Sequence, residues 1–168
     1  MPEHKVNNAD INYRTITAQD DAALAAIIRD NLKARGLDIP GTVYFDSNLD
    51  HLSSFYLSDP GRTYIILTDS DGSVVGGVGL AAFTPFENCA ELQKLYLADR
   101  VKGRGLGYEM IARIEQEAEI RGYSRMYLET HDNLDVAIHL YQRCGYTEID
   151  KPEGVVHSSM NRFFIKML

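Results

Sequence analysis

Three glycines alternate with basic side chains in the stretch LYLADRVKGRGLGYEMI, residues 95–111. Gly103, Gly105 and Gly107 lie between an apolar run and a segment whose apolar residues have helical spacing. At such a place free backbone N–H groups meet the positive end of a helix dipole, and bare glycine backbone lets phosphate oxygens approach closely. The stretch therefore predicts a phosphate-binding loop, and a surface turn built on hinge glycines is the alternative.

The charge around these glycines is opposite to that of the whole chain. From Lys94 to Arg104 there are four basic residues and one acidic residue, a local positive excess in a chain whose formal net charge is −7. A negative protein is a poor partner for nucleic acid and for anionic membranes, and it favours neutral or cationic partners. The local reversal supports an anion site, and the overall charge argues against nucleic-acid and membrane partners.

Two widespread phosphate loops fit this chain poorly. The P-loop pattern GxxxxGK[ST] does not occur in the sequence. A dinucleotide GxGxxG motif counted from Gly103 needs glycine or alanine at position 108, which is Tyr108, although Glu129 follows at a tolerable spacing for a ribose-binding acid. Three predicted antiparallel strands precede the motif, so a nucleotide-binding domain of this kind is a minor alternative.

The composition is that of a soluble globular protein. The chain has 168 residues, of which 45% are hydrophobic and 24% are charged, and we expect one domain over residues 1–168. Cys89 and Cys144 lie in apolar patterns without CxxC spacing, so we expect core thiols in a reducing compartment and no zinc site. No stretch resembles a signal peptide or a membrane span, so we expect a cytoplasmic protein.

Hydrophobic periodicity predicts the elements that must position the glycines. Alternation predicts a strand in INYRTIT, helical spacing predicts helices in DDAALAAIIRDNLKARG and LDHLSSFYLSDPG, and Asp71-Gly72 predicts a hairpin of residues 63–69 with 73–83. The strand CAELQKLYLA leads into the glycines and a helix. The strand RMYLET, the helix LDVAIHLYQRCG and the strands YTEID and MNRFFIKML follow. This order predicts a mixed α/β layer fold.

Three segments together carry a resemblance to a known family. The run KGRGLG, residues 102–107, resembles the R/Q-x-x-G-x-G/A pyrophosphate loop of the GNAT-type N-acetyltransferase superfamily. AELQKLYL is similar to the fourth strand of that family, and AIHLYQRCGY is similar to its A-I-x-L-Y-x-x-x-G-F/Y segment. The resemblance covers at least residues 90–146. It implies an α/β (mixed α+β) fold, with a mostly antiparallel twisted sheet of about seven strands flanked by about four helices.

The resemblance also implies acetyl-CoA as co-substrate and no metal. In the family, loop amides hold the pyrophosphate, and the pantetheine arm lies beside the fourth strand, where an N–H group polarises the thioester carbonyl. Many members have an asparagine that contacts this arm; Leu134 occupies its position here, so the neighbouring Asn133 is only a substitute candidate. The other matching cofactor positions are Leu95, Leu97, Lys102, Gly103, Arg104, Gly105, Leu106, Gly107 and Tyr108.

Two residues match the catalytic acid and base of the family. Tyr141 matches the tyrosine that protonates the departing thiolate, although its helical spacing alone would make it an ordinary core residue. Glu91 lies eleven residues before Lys102, where several members place a strand glutamate that accepts the amine proton directly or through water. The alternative is that Glu91 faces the edge of the sheet or forms a salt bridge, for example with Lys94.

The implied function is transfer of an acetyl group to a primary amine of a small molecule or amino acid, by direct attack in a ternary complex. The alternative is a non-catalytic acyl-CoA-binding or sensing module of the same fold. The family arrangement also implies a homodimer as one option, through the C-terminal strands. It would place His157 and several aromatic side chains around the acceptor: Tyr44, Phe45, Phe55, Tyr56 and Phe83.

Overall fold

A single seven-stranded sheet forms the centre of the structure, with strand order β1-β2-β3-β4-β5-β7-β6. The structure is a computed structural model that describes residues 7–155 and 159–168, so the expectation for His157 lies outside the described residues. The strands are β1 Asn12–Thr15, β2 Thr63–Thr68, β3 Val74–Ala82, β4 Cys89–Leu97, β5 Arg125–Thr130, β6 Thr147–Ile149 and β7 Arg162–Met167. Neighbouring strands are antiparallel except for β4 and β5, which are parallel.

Four α-helices cover the two faces of this sheet. They are α1 Asp21–Ala34, α2 Leu52–Leu57, α3 Leu106–Ile120 and α4 Asp135–Arg143. The helices α1 and α2 pack with Tyr64 and Ile66 of β2 in one apolar core. The helices α3 and α4 pack with Leu92 of β4 and Met126 of β5 in another. The predicted mixed fold of seven strands and four helices is confirmed.

A buried carboxylate joins the two helices of the first core. Asp21, in the first turn of α1, accepts hydrogen bonds from the Ser53 backbone N–H at 2.9 Å and from the Ser53 hydroxyl at 2.7 Å. Both residues are buried, so each bond satisfies a polar group that water does not reach. This contact fixes α2, which in turn places Tyr56 against the sheet.

The described part of the chain contains no helix that combines the length and the apolar character needed to cross a membrane.

Candidate active site

The two parallel strands at the centre of the sheet separate after a short stretch of pairing. Cys89 to Glu91 of β4 lie opposite Arg125 to Tyr127 of β5, and the paired register ends there. Beyond this point β5 remains paired with β7 as far as Thr130, while β4 remains paired with β3 as far as Leu97. A cavity of about 650 Å³ lies in the resulting opening, with walls from α1, β4, the glycine loop and α4.

A β-bulge at Lys94 marks the part of β4 that departs from β5. Gln93 lies opposite Gly79, but Tyr96 lies opposite Gly77, so Lys94 and Leu95 share one residue of β3. Lys94 has a φ of 49°, in the left-handed region that non-glycine residues seldom adopt. An extra residue of this kind bends the strand and increases its twist.

A buried tyrosine supports this bulge from the side of α1 and α2. The Tyr64 hydroxyl donates a 2.7 Å hydrogen bond to the Lys94 carbonyl. The Tyr64 ring lies so close to β3 that a Cβ atom on Gly77 would be 2.2 Å from it, and a Cβ on Gly79 would be 2.6 Å from the Tyr56 hydroxyl. The glycines of VVGGVGL thus make room for two tyrosines, one of which binds the carbonyl of the bulged residue.

The three glycines after β4 have two different structural roles. Gly103 and Gly105 have φ values of 77° and 73°, which a side chain would strain, and Gly105 is the N-cap residue of α3. Gly107 has helical backbone, but a Cβ there would be 2.7 Å from Cδ2 of Leu140, so this glycine lets α3 approach α4. Together they bring the N-terminus of α3 to the wall of the cavity, where Tyr108 also lies.

The basic residues of the loop have different positions. Lys102 lines the cavity, and its Nζ lies 2.7 Å from Oδ1 of Asp99 and 2.7 Å from Oδ1 of Asn31. The Arg104 side chain instead pairs with Asp10 at 2.5 Å and donates to Asn8 at 3.1 Å. Arg104 is not among the described residues that line the cavity, and its guanidinium is engaged by Asp10 and Asn8.

The asparagine considered for the pantetheine arm is also engaged elsewhere. The Asn133 side chain donates a 2.9 Å hydrogen bond to the Arg35 carbonyl, and Asn133 is absent from the described cavity lining. Asn31, which the sequence did not single out, lines the cavity and donates a 2.9 Å bond to the Leu97 carbonyl. The sequence signal that could have identified Asn31 is its position beside the apolar stripe of α1, because a polar side chain at such a position needs a hydrogen-bond partner.

Tyr141 reaches the cavity from α4 while most of its surface is buried. Its exposed fraction is 6%, and its ring packs edge-on against Tyr146, with a centroid separation of 6.1 Å. Burial, with a smaller contribution from Cys144, raises the pKa of Tyr141 above its ordinary value. The phenol is therefore protonated at neutral pH and available as a proton donor.

Glu91 lies in the opening between the separating strands, within a short chain of hydrogen bonds. The Tyr56 hydroxyl donates to Oε1 of Gln93 at 2.7 Å, which orients the amide so that Nε2 donates to Oε2 of Glu91 at 3.2 Å. Burial first, and the neighbouring Glu129 second, raise the pKa of Glu91 to about 7, against smaller opposing effects of Gln93 and Lys94. A carboxyl with this pKa accepts a proton readily near neutral pH.

The expected aromatic wall around the acceptor is not found among the described residues. None of the five aromatic side chains proposed for it lines the cavity. Tyr56 is buried and touches Gln93, Phe83 stacks on Tyr127 at 3.7 Å, and Phe45 is 59% exposed. Core packing explains Tyr56 and Phe83 better than ligand binding does. The aromatic residues that do line the cavity are Tyr96, Tyr108 and Tyr141.

The described residues contain no cluster of His, Cys, Asp and Glu that could hold a metal ion.

Comparison with known proteins identifies the family. The Acetyltransferase (GNAT) family sequence model matches residues 24–146, which include Glu91, the glycine loop and Tyr141. The chain belongs to the GNAT family. It is 38% identical over 143 residues to the uncharacterized N-acetyltransferase YjgM of Escherichia coli (strain K12), a match that covers 84% of each chain.

Solved GNAT structures have the same fold at low sequence identity. An acetyltransferase of Staphylococcus aureus Mu50 matches with a TM-score of 0.82 and 20% identity, covering 94% of this chain and 99% of that chain. The PaiA N-acetyltransferase of Thermoplasma acidophilum, solved in complex with coenzyme A, matches with a TM-score of 0.73 and 18% identity, with the same coverage. These likenesses support the fold of the GNAT chain described here.

Tyr64→Phe tests whether the hydrogen bond from the Tyr64 hydroxyl stabilises the bulge. This change leaves the Lys94 carbonyl without its buried donor, so we expect a loss of about 1–3 kcal/mol in the free energy of unfolding, measured with urea. Tyr13→Phe is the matched control, because it removes a 2.5 Å hydrogen bond to Glu109 that is exposed to water. Equal losses in the two variants would show that the Tyr64 hydrogen bond contributes no more to the free energy of unfolding than the exposed Tyr13 hydrogen bond does.

The burial of Glu91 predicts a pH-dependent gain in stability for Glu91→Gln. An acid whose pKa is raised on folding, here from 4.5 to about 7, stabilises the native state at low pH and loses that contribution as pH rises through the folded pKa. The variant should be little changed near about pH 4 and more stable by up to roughly 3 kcal/mol above about pH 7.

Thermal unfolding at a series of pH values measures this gain. Glu119→Gln, on the exposed face of α3, is the control and should change stability little at any pH. A gain for Glu91→Gln that does not grow with pH would contradict the raised pKa.

Proposed function

We propose that this GNAT protein transfers the acetyl group of acetyl-CoA to a primary amine of a small molecule or amino acid, by direct attack in a ternary complex. The observation that carries the proposal is that one cavity joins the N-terminus of α3, the edge of β4, Glu91 and Tyr141. Phosphate binding, thioester positioning and proton transfer can therefore occur in one continuous space.

The donor half of the cavity suits the pyrophosphate and pantetheine of acetyl-CoA. Backbone N–H groups of residues 103–108 at the start of α3 receive the phosphates, and the Lys102 ammonium adds a positive charge. The arm lies beside β4, on the edge that β5 leaves unpaired after Glu91. The Leu97 carbonyl already accepts from Asn31, so the arm depends on the remaining main-chain groups near Leu95.

The thioester carbonyl lies at the bulge, where the extra residue leaves a main-chain N–H free of the β3–β4 ladder. An N–H group fixed at that point stabilises negative charge on the carbonyl oxygen as the tetrahedral intermediate forms. The Tyr64 bond to the Lys94 carbonyl holds this segment in place before the substrate arrives.

Two of the proton transfers that the reaction needs are made by side chains of the protein. Glu91 accepts a proton from the acceptor ammonium, directly or through water, and the free amine attacks the thioester carbon to form the C–N bond. As the C–S bond of the intermediate breaks, Tyr141 protonates the departing sulfur, and the nitrogen of the new amide gives up its remaining extra proton to water, from which Tyr141 is reprotonated. The products are the N-acetylated amine and CoA with a free thiol. A sensing module would need neither transfer, whereas the raised pKa of Glu91 suits a base.

The pH profile tests the role of Glu91. Because the base must be ionised, kcat/KM should fall as pH drops through about 7, and Glu91→Gln should remove this limb and lower kcat by about 10²–10⁴-fold. Gln93→Leu removes a hydrogen bond that lowers the pKa of Glu91, so the limb should move to higher pH. A profile unchanged in both variants would exclude Glu91 as the base.

Tyr141→Phe tests the acid. If Tyr141 protonates the thiolate in the transition state, kcat should fall by about 10²–10⁴-fold while the Kd for CoA, measured by calorimetry, stays within about threefold. Tyr146→Phe, on the neighbouring ring, is the control and should retain most of the activity. Wild-type turnover in Tyr141→Phe would remove this residue from the mechanism.

A further inference from the structure

Lys94 is a charged residue of the cavity to which the mechanism gives no role. Lys94 lines the cavity beside Glu91, and its side chain is only 12% exposed. In a regular strand, residues three apart lie on opposite faces. The bulge changes this alternation, and Glu91 and Lys94 both line the same cavity.

The ammonium of Lys94 is poorly satisfied by the protein. Its nearest carboxylate oxygen is Oδ2 of Asp46, 3.9 Å from Nζ, which is longer than a hydrogen bond. Among the described residues we find no acceptor within hydrogen-bond distance of this Nζ. Lys102 provides the contrast, since its Nζ has acceptors on Asn31 and Asp99 at 2.7 Å each. The Lys94 ammonium thus has hydrogen-bond donors left for a ligand in the cavity.

The charges around Lys94 restrict the kind of ligand. Asp46 lies 3.9 Å from the Lys94 Nζ and Glu91 acts on the same ammonium, so a dianion such as a phosphate ester bound at Lys94 would be repelled there, unlike at the N-terminus of α3. A diamine would place its second ammonium against the positive Lys94. A zwitterion satisfies both charges, because its ammonium faces the carboxylates and its single negative charge faces Lys94.

We propose that the acceptor is a free amino acid, whose carboxylate binds the Lys94 ammonium while its amine faces Glu91. This inference rests on the proposed function and narrows its substrate class. A substrate carboxylate bound to this ammonium also explains why the bulged residue is a lysine. The same change in the backbone that opens the thioester site places the lysine cation on the acceptor side. Lys94 is then the residue that distinguishes amino acids from simple amines.

Release of CoA thiol, followed with a panel of acceptors, tests the proposal. The panel contains L-amino acids, the carboxamide of each, and the amine that lacks the carboxyl group. We expect the best free acid to exceed its carboxamide by about 10–100-fold in kcat/KM, as a charge-assisted hydrogen bond allows. Lys94→Met should bring this ratio close to one, mainly through a higher KM for the acid, and Lys94→Arg should restore part of it.

Two further variants keep the test specific. Lys33→Met removes an exposed lysine on α1 and should leave the acid-to-amide ratio unchanged. Asp46→Asn removes the distant ionic partner of Lys94 and should preserve or increase the ratio, whereas a purely structural Lys94–Asp46 pair would make this variant behave like Lys94→Met. Thermal unfolding with and without acetyl-CoA checks that each variant folds and retains the donor site.

The outcomes separate this inference from the function on which it rests. Acetylation of simple amines as fast as of the amino acids, or an acid preference that survives in Lys94→Met, would overturn the amino-acid proposal and leave the acetyltransferase intact. Failure to acetylate any compound of the panel would overturn both.

Discussion

The hydrogen bond from the Tyr64 hydroxyl to the Lys94 carbonyl, 2.7 Å long and partly buried, lies where β4 leaves the regular sheet. A bulge removes carbonyls from the strand ladder, and a buried carbonyl without a donor is costly. Tyr64 supplies that donor, and its ring fits because residue 77 is a glycine. The opening beside β5, the free edge of β4 and the direction of the Lys94 side chain all depend on this local departure from regular pairing.

The charged side chains in the opening lower the stability of the folded protein, but they suit the site for proton transfer. Burial and the neighbouring Glu129 raise the pKa of Glu91, and the Lys94 ammonium has only a distant ionic partner. A stable core would replace such groups by apolar side chains. Their arrangement around one cavity is what a proton-transfer site for a charged substrate requires, and strain of this kind is concentrated at functional sites.

Much of the fold follows from patterns that are local in the sequence. Apolar periodicity, the Asp71-Gly72 turn and the glycine loop identify the strands, the helices and the start of α3. The bulge does not follow from such patterns, because period-two alternation assumes regular pairing and Tyr64 acts on Lys94 from 30 positions away. The contact of Arg104 with Asp10 does not follow from local patterns either, since the two residues are 94 positions apart.

The aromatic residues show the limit of composition as a guide to a binding site. Phe83 and Tyr56 are placed by ring packing and by the close approach of the β3 glycines, which no spacing in the sequence reveals. Asn31 was missed because its partners, the Leu97 carbonyl and Lys102, belong to a different part of the chain. Contacts of this kind become visible only when α1 is placed across the end of β4.

Thermal unfolding in the presence of acetyl-CoA tests most directly the claim that the opening between β4 and β5 is a donor site. At about 100 times its Kd, a ligand stabilises the native state by roughly 2.7 kcal/mol, enough to raise Tm by several degrees. A donor site for acetyl-CoA in this opening predicts the rise with acetyl-CoA and none with NAD at the same concentration. An unchanged Tm with acetyl-CoA, or an equal rise with NAD, would contradict it.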